Sequence, residues 1–452
     1  MTEGLAADIG VVQEDVFFGA DVVTMNDKYM GTKGDCYMGP TAKRTSGFPA
    51  GRKRRKALRI GVRPEGPAGR VRIPKHEGSR LSARRGRTRI AYVVGTRPEI
   101  IRSATVVSAL KADDEVSFKL VHTGQHYDFL IDSVFFKELA IPRPSINMGV
   151  GSGSHAEQTA AMMLDLERYF ERTRPEIVGV FGDTNSWLAA ALAAVKLQIP
   201  VAHLEAGCRE WEMDMPEEIN RRLMDHCSLV NLAVSEVSAE NLRRENVPGA
   251  VHNLGDPLYD VYRACRMVSD DLKLWERMSL ARRGYCLLTL HRPANVDDQR
   301  TLEAILSVLA GCSELPVVFP VHPRTRKQLQ ARERGLSNFL MIDPLSYHDI
   351  LSVLGGAAIA VTDSGGLQKE AFWSRVPCVT VREHTAWSET VEMGVNRLTG
   401  KDPASIRSSL RDAITSRDET RRLLKGLPNP YTKRGTTEKT VELMKKYARE
   451  GW

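Results

Sequence analysis

Two short apolar runs, Val178–Phe181 and Pro200–His203, flank an Ala/Leu-rich segment of helical composition, Trp187–Lys196. Runs this short with a helix between them read as parallel neighbours in one sheet, which is a β-α-β unit. In open parallel sheets, ligands collect in the crevice beyond the carboxyl ends of the strands. Asp183, in Gly182-Asp183-Thr184, and Glu205, in Glu205-Ala206-Gly207, stand at two such ends. Glu217 follows in Pro216-Glu217-Glu218-Ile219-Asn220-Arg221. Three acids at one crevice form a constellation suited to proton transfer.

Each acid taken alone has a structural reading. Asp183 suits a helix cap, and Glu205 a strand-end acid. Glu217 follows a proline, where a first helical turn favours negative charge. The case for chemistry rests on the three together and on the residues around them.

The same alternation extends on both sides. Strands are expected at Ile90–Val94 and Val116–Val121, with a helix between them to about Lys111. An amphipathic helix at about Ala156–Arg172 precedes the central unit. A helix from Glu217 and strands Leu229–Val234 and Val251–Leu254 follow it. A break is expected near Ala264–Asp271. Beyond it the alternation restarts, with strands Tyr285–Leu290, Val317–Val321, Phe339–Ile342, Ala358–Thr362 and Pro377–Val381. The pattern predicts an α/β protein of two doubly wound halves with the ligand crevice between them.

Two turns suit anions. Gly95-Thr96-Arg97-Pro98-Glu99 joins a strand to a helix, and its backbone N–H groups, with Arg97 and Arg102, are expected to meet negative charge. Ser364-Gly365-Gly366 opens a helix after another strand, where two glycines let a phosphate approach the backbone.

The net charge of +8 misleads. Residues 43–90 carry +15, residues 1–42 carry −5, and the rest carries −2. The basic segment lies among Gly, Pro and Ser with little periodicity, so a disordered extension over 1–88 is expected, or a product of an upstream start site. Its charge suits nucleic acid or an anionic surface. It lacks the interleaved aromatics of a single-strand binder. No apolar run approaches the roughly 20 residues of a membrane span, and the first residues do not read as a signal peptide. Seven scattered cysteines without a CxxC pair point to reduced thiols, a cytoplasmic setting and no cysteine zinc site.

Over about Arg89–Tyr447, eight pieces stand in a telling order. They are Gly95-Thr96-Arg97-Pro98-Glu99, Thr123-Gly124-Gln125-His126, Gly182-Asp183-Thr184, His203-Leu204-Glu205-Ala206-Gly207, Pro216–Arg221, Thr289-Leu290-His291-Arg292, Val321-His322-Pro323 and Asp363–Glu370. Together they resemble the non-hydrolysing UDP-N-acetylglucosamine 2-epimerases. The hydrolysing relatives differ at the GDT and EAG pieces.

The resemblance implies two Rossmann-like domains of glycosyltransferase-B type, at 89–265 and 266–430. It also implies a C-terminal segment, 431–452, whose helix packs back on the first. The implied activity is interconversion of the gluco and manno epimers by anti elimination of UDP, through a 2-acetamidoglucal, and re-addition. It implies no cofactor and no metal, a UDP-sugar as the bound partner, a homodimer, and a place in cell-envelope polysaccharide synthesis.

Asp183, Glu205, Glu217 and His291 would carry the catalysis. Arg97, Arg102, Arg292, Ser364, Gly365 and Gly366 would hold the diphosphate, and Glu370 the ribose. Gln125, His126 and His322 would border an allosteric substrate site. This chain departs from the family in three places. Arg102 replaces a lysine, Pro293-Ala294-Asn295 replaces Arg-Glu-Asn, and the loop after Arg382 matches only in part. Weak or absent substrate activation is the expectation from the second. The rival readings are a UDP-sugar glycosyltransferase of the same form and a nucleic-acid-binding protein built on the basic segment.

Overall fold

The computed structural model describes residues 86–451, apart from 126–135, 137, 312–314, 322 and 330–335. The expected disorder of the basic extension therefore falls outside the described residues up to Arg85, as do His126 and His322.

The first half is a seven-stranded sheet of β1 (Thr88–Val94), β2 (Val116–His122), β3 (Ile146–Asn147), β4 (Ile177–Phe181), β5 (Val201–Ala206), β6 (Val230–Ala233) and β7 (Ala250–Asn253). All pairs are parallel, in the order β3-β2-β1-β4-β5-β6-β7. The second half has six parallel strands: β8 (Cys286–Thr289), β9 (Val317–Pro320), β10 (Phe339–Ile342), β11 (Ile359–Thr362), β12 (Cys378–Thr380) and β13 (Asn396–Leu398). Their order is β10-β9-β8-β11-β12-β13. Both orders reverse direction once, between β1 and β4 and between β8 and β11. The crevice at such a reversal is where doubly wound sheets take ligands.

The central β-α-β unit forms around Trp187. Its ring is fully buried, stacks on Phe181 at 5.9 Å between centroids, and donates Nε1–H to the Val93 carbonyl at 2.7 Å. It thereby pins the helix Asn185–Lys196 against both strands of the reversal. Gly95 is required beside it, since a Cβ there would lie 2.0 Å from the Ser186 hydroxyl.

Three expectations need correction. The break near Ala264–Asp271 is instead the interior of a continuous helix, Pro257–Leu272. Its capping Asp256 and its buried Leu258, Val261, Tyr262 and Cys265 outweigh the polar run at its end. Strands β3 and β13, of two and three residues, are too short to leave a periodic signal. Glu205 does not follow its strand but lies within it, where β5 slips register against β6 between Leu204 and Ala206.

The last helix, Thr436–Glu450, lies against helix Arg97–Ala112 and helix Pro257–Leu272. Thr437 meets Thr105 at 3.1 Å, Lys445 pairs with Asp113 at 2.7 Å, and Met444 is buried in the first half's core. The two halves touch through Arg97 Nη2 to the Leu345 carbonyl at 2.8 Å, Arg382 to Glu210, and Lys369 to Glu205 and Asp256.

Candidate active site

A cleft of about 310 Å³ opens between the two strand-order reversals. Asp183, Glu205 and Glu217 line it from the first half, with Arg97, Arg102, Glu210 and Arg221. His291, Arg292, Ser364, Gly365, Gly366 and Glu370 line it from the second. Every described candidate but one therefore reaches this one space. Gln125 does not: its Oε1 accepts from the Ser186 N–H at 3.1 Å and hydroxyl at 2.6 Å, tying it to the start of the central helix.

The three acids differ in how they are held. Asp183 does not cap the next helix, whose N-cap is Thr184. Arg221 Nη2 and Nε donate to one of its oxygens at 2.7 and 3.1 Å. Burial raises its pKa, but Arg221 and Arg102 outweigh that and hold it below the usual carboxylate range. Glu205 is 4% exposed and sits between Arg102 Nη1 at 3.0 Å and Lys369 Nζ at 3.3 Å. Its φ of +63° lies in the left-handed region, a conformation that costs a non-glycine residue roughly 1–3 kcal/mol and persists where surroundings impose it. Glu217, at the first turn of the helix Pro216–Cys227, has no hydrogen-bond or ion-pair partner among the described residues.

Sequence reading missed the lattice behind these acids. Buried Glu210 accepts from Arg382 and from Arg221 at 3.1 Å, and buried Glu218 from Arg221 at 3.0 Å. Arg221 thus joins three carboxylates. Its place at the end of the Pro216–Arg221 piece was the available signal.

In the turn after β1 two of the backbone donors go to a side chain of the turn itself. Glu99 folds back as a capping box, accepting from the Gly95 N–H and from the Thr96 N–H at 3.2 Å. The donors meant for an anion are taken by a buried carboxylate. Its pKa is pushed up to about 7 by burial, against the Thr184 hydroxyl at 2.5 Å.

The turn after β11 behaves in the opposite way. Asp363, fully buried, accepts from the His291 and Arg292 N–H groups at 3.1 and 2.9 Å, from Asn295 Nδ2 at 3.1 Å, and pairs with His291 Nδ1 at 3.0 Å. Burial raises its pKa, and the His291 and N–H donors more than offset this, leaving it below the usual range. Ser364 caps the helix Gly365–Trp373. Leu367 donates to that cap, the Gly365 and Gly366 N–H groups have no partner among the described residues, and both glycines line the cleft. A Cβ built on Gly366 would meet nothing within 4 Å, and one on Gly365 only Trp387 Nε1 at 3.3 Å. Such a helix start suits an anion. Half-exposed His291 and the Arg292 side chain, unpartnered among the described residues, stand beside it. Glu370 lies one turn on, buried, accepting from the Tyr347 hydroxyl at 2.9 Å. Burial lifts its pKa to about 7. Among the described residues, no group of three or more His, Cys, Asp or Glu is arranged to hold a metal ion, and no helix is long and apolar enough to cross a membrane.

Two parallel sheets facing across a cleft, with acids on one wall and an open helix start on the other, define an enzyme of the glycosyltransferase-B form. The family model for UDP-N-acetylglucosamine 2-epimerase matches residues 108–445. The chain is 40% identical over 325 residues to a Methanococcus maripaludis protein named a UDP-N-acetylglucosamine 2-epimerase homolog, covering 70% of this chain and 90% of that one. It is 38% identical over 334 residues to the Pseudomonas aeruginosa UDP-2,3-diacetamido-2,3-dideoxy-D-glucuronate 2-epimerase, covering 72% and 92%. The crystal structure of the Methanocaldococcus jannaschii UDP-GlcNAc 2-epimerase in complex with UDP-GlcNAc and UDP is 33% identical. It matches 79% of this chain and 100% of that one with a TM-score of 0.73. The chain belongs to the UDP-N-acetylglucosamine 2-epimerase family, and is thus an isomerase.

Proposed function

We propose that the protein interconverts UDP-N-acetylglucosamine and its manno epimer by proton transfer at C2. The observation that supports this best is the division of the cleft: three carboxylates on the first wall, a phosphate cradle on the second. The C2 hydrogen of the sugar is not acidic, so its removal has to be coupled to departure of UDP from C1. A carboxylate takes the C2 proton, the C–H electrons form the C1–C2 double bond, and the C1–O bond breaks toward UDP. The 2-acetamidoglucal then accepts UDP back at C1 and a proton on the other face of C2. Two faces call for two proton carriers in different environments. Glu217, free of ion pairs among the described residues, and Glu205, held between two cations, are those carriers. Asp183, kept ionised by Arg221, lends charge to the sugar end. The Gly365 and Gly366 N–H groups, His291, Arg97 and Arg292 meet the charge that grows on the leaving diphosphate, where donors fixed beforehand act most strongly. Arg102 instead holds Glu205, and Glu370 takes the ribose hydroxyls.

The protein is further proposed to act as a homodimer in the cytoplasm, supplying cell-envelope polysaccharide synthesis. Substrate activation is weak, because Pro293-Ala294-Asn295 supplies neither cation nor acid beside His291. Rates from the manno epimer are then hyperbolic without added gluco epimer. The diacetamido-uronate named for one relative is the rival substrate, and a transferase the rival reaction. Incubation with UDP-N-acetylglucosamine alone in deuterium oxide separates them by NMR. Deuterium entering C2 of the manno product supports the proposal. Complete retention of the C2 proton in that product, or no product without an acceptor, overturns it.

A further inference from the structure

We infer that Lys369 is a positioning residue for Glu205: a buried ammonium that reaches from the phosphate-cradle helix into the opposite wall and sets the orientation and charge of that acid. The inference rests on the proton-carrying role proposed for Glu205.

Lys369 is fully buried on the helix Gly365–Trp373. Its Nζ stands 2.6 Å from Asp256 Oδ2 and 3.3 Å from Glu205 Oε2. It also lies 3.5 Å from the centre of the Trp387 ring, with Tyr431 at 5.9 Å. A lysine so enclosed keeps its charge only if its partners replace water. Here they do: burial lowers its pKa, and the two carboxylates raise it more. With Arg102 the group sets two cationic side chains against two carboxyl groups. Arg102 and Lys369 hold the two oxygens of Glu205, one each. Further titratable and charged groups face the cluster: Tyr92 from β1, Cys208 from the loop after β5, Tyr431 beside Asp256 and Lys369, Glu370 beside Lys369, and Asp183 and Arg221 beyond Arg102. Burial keeps Tyr92 and Cys208 uncharged. Glu370 is turned to the Tyr347 hydroxyl.

The neighbours act on Glu205 with opposite signs. Lys369 favours its carboxylate and Asp256 disfavours it, each by charge at close range. Removing Lys369 leaves Arg102 facing two buried carboxylates, so the cluster takes up a proton more readily. Removing the charge of Asp256 leaves Glu205 facing two cations, so it gives up its proton more readily. Asn at position 256 keeps the oxygen that accepts from the Leu258 N–H at 2.9 Å, so the helix cap survives.

The test follows Glu205 itself. Its side-chain carboxyl carbon is titrated by NMR in 13C-Glu-labelled protein and assigned by its absence in Glu205→Gln. C2 exchange of UDP-N-acetylglucosamine in deuterium oxide is measured over the same pH range. In Lys369→Met the Glu205 titration and the acidic limb of the exchange profile move up by about one pH unit or more, a tenfold loss below the limb. In Asp256→Asn both move down, and in the double variant they return toward wild type. A merely structural lysine would lower turnover in all three without opposite displacements. An unmoved Glu205 titration in Lys369→Met overturns the inference. Should that variant not fold, an unmoved or raised titration in Asp256→Asn overturns it equally. A wild-type enzyme that leaves the C2 proton in place refutes the proton-carrying role, and the carbon titration still decides whether Lys369 governs Glu205.

Discussion

Asp183 and Asp363 hold the same place in the two halves. Each follows the strand beyond the reversal, β4 or β11, and each precedes a hydroxyl residue and a helix. Their surroundings give them opposite uses. Asp363 is enclosed by two backbone N–H groups, an amide and an imidazole, so it braces the turn after β8 and leaves the next helix start open. Among the described residues Asp183 meets no backbone N–H; it pairs with Arg221 and lines the cleft. In the first half the donors of the turn after β1 are closed off by Glu99, and at the helix after β4 the Ser186 N–H goes to Gln125 Oε1. One wall is therefore rich in acid and poor in free donors, and the other the reverse. The lesson is that a strand-end aspartate gains its role from where the neighbouring N–H groups go.

If the walls divide the work in this way, substitutions on the first should strike turnover and spare nucleotide binding. Glu217→Gln, Glu205→Gln and Asp183→Asn should each lower turnover by about a hundredfold or more, the scale of a positioned acid or base. UDP affinity by calorimetry should stay within about threefold. Equal losses of turnover and affinity would erase the distinction between the walls.

On the second wall the sign reverses. Gly366→Ala adds a methyl group where nothing in the protein stands within 4 Å, so folding is unaffected. The methyl occupies the space over the first N–H groups of the helix. UDP affinity should fall by about tenfold, roughly 1.4 kcal/mol, while turnover at saturation holds. Unchanged affinity would move the diphosphate elsewhere.

Glu370 sharpens the comparison with pH. Its pKa is raised to about 7, so the carboxyl is protonated below that pH and ionised above it. An ionised carboxylate accepts two ribose hydroxyls better than a neutral acid does. UDP binding should weaken as pH falls below about 7, by up to tenfold per unit, and Glu370→Gln should flatten the dependence. Stability runs the other way. The native state keeps a proton that the unfolded chain releases near pH 4.5, so this group's contribution falls as pH rises from about 4.5 to 7. Glu99 adds a second fall of the same sign, since its pKa is also raised to about 7. Each should cost about 3 kcal/mol between those limits, visible as a rise in Tm at pH 7 when Glu99 is replaced by Gln. That substitution keeps an acceptor for the Gly95 and Thr96 N–H groups.

Much of this was legible in the sequence because apolar periodicity reports which surfaces are buried, and both sheets are buried on two faces. The strand ends located Asp183, His291 and Ser364 for the same reason. The ion-pair lattice was not legible. Arg382 meets Glu210 and Lys369 meets Asp256 only where the two halves close on each other, and Arg221 reaches Glu210 across a loop of the first half. Nor could the sequence tell a turn whose donors face a ligand from one whose donors are met by its own side chain. Gly95–Glu99 and Ser364–Gly366 both read as anion turns, and the deciding difference is a glutamate that folds back.

The smallest expected effect lies outside both walls. Residues 43–90 carry +15 against −2 for the rest of the chain beyond them, a division that suits an appendage better than a part of the cleft. The first strand is also secured from within the body. The Thr88 N–H donates to the Glu115 carbonyl at 2.7 Å, and the Arg89 N–H to Glu176 at 2.7 Å. Arg89 Nε reaches the Arg174 carbonyl at 2.7 Å, and β1 then pairs with β2 and β4 along its length. A chain beginning at Gly86 therefore keeps these contacts at the start of the sheet. Its turnover should lie within about threefold of the full-length protein, below 0.7 kcal/mol in barrier height, and its Tm should be unchanged. Turnover is measured at low and high salt, because screening would mute any steering of the anionic substrate by the basic segment. A tenfold loss in the truncated, folded protein at both salt concentrations would bring the segment into the catalytic unit. A loss confined to low salt would instead assign it to substrate capture, leaving the division between the two walls intact.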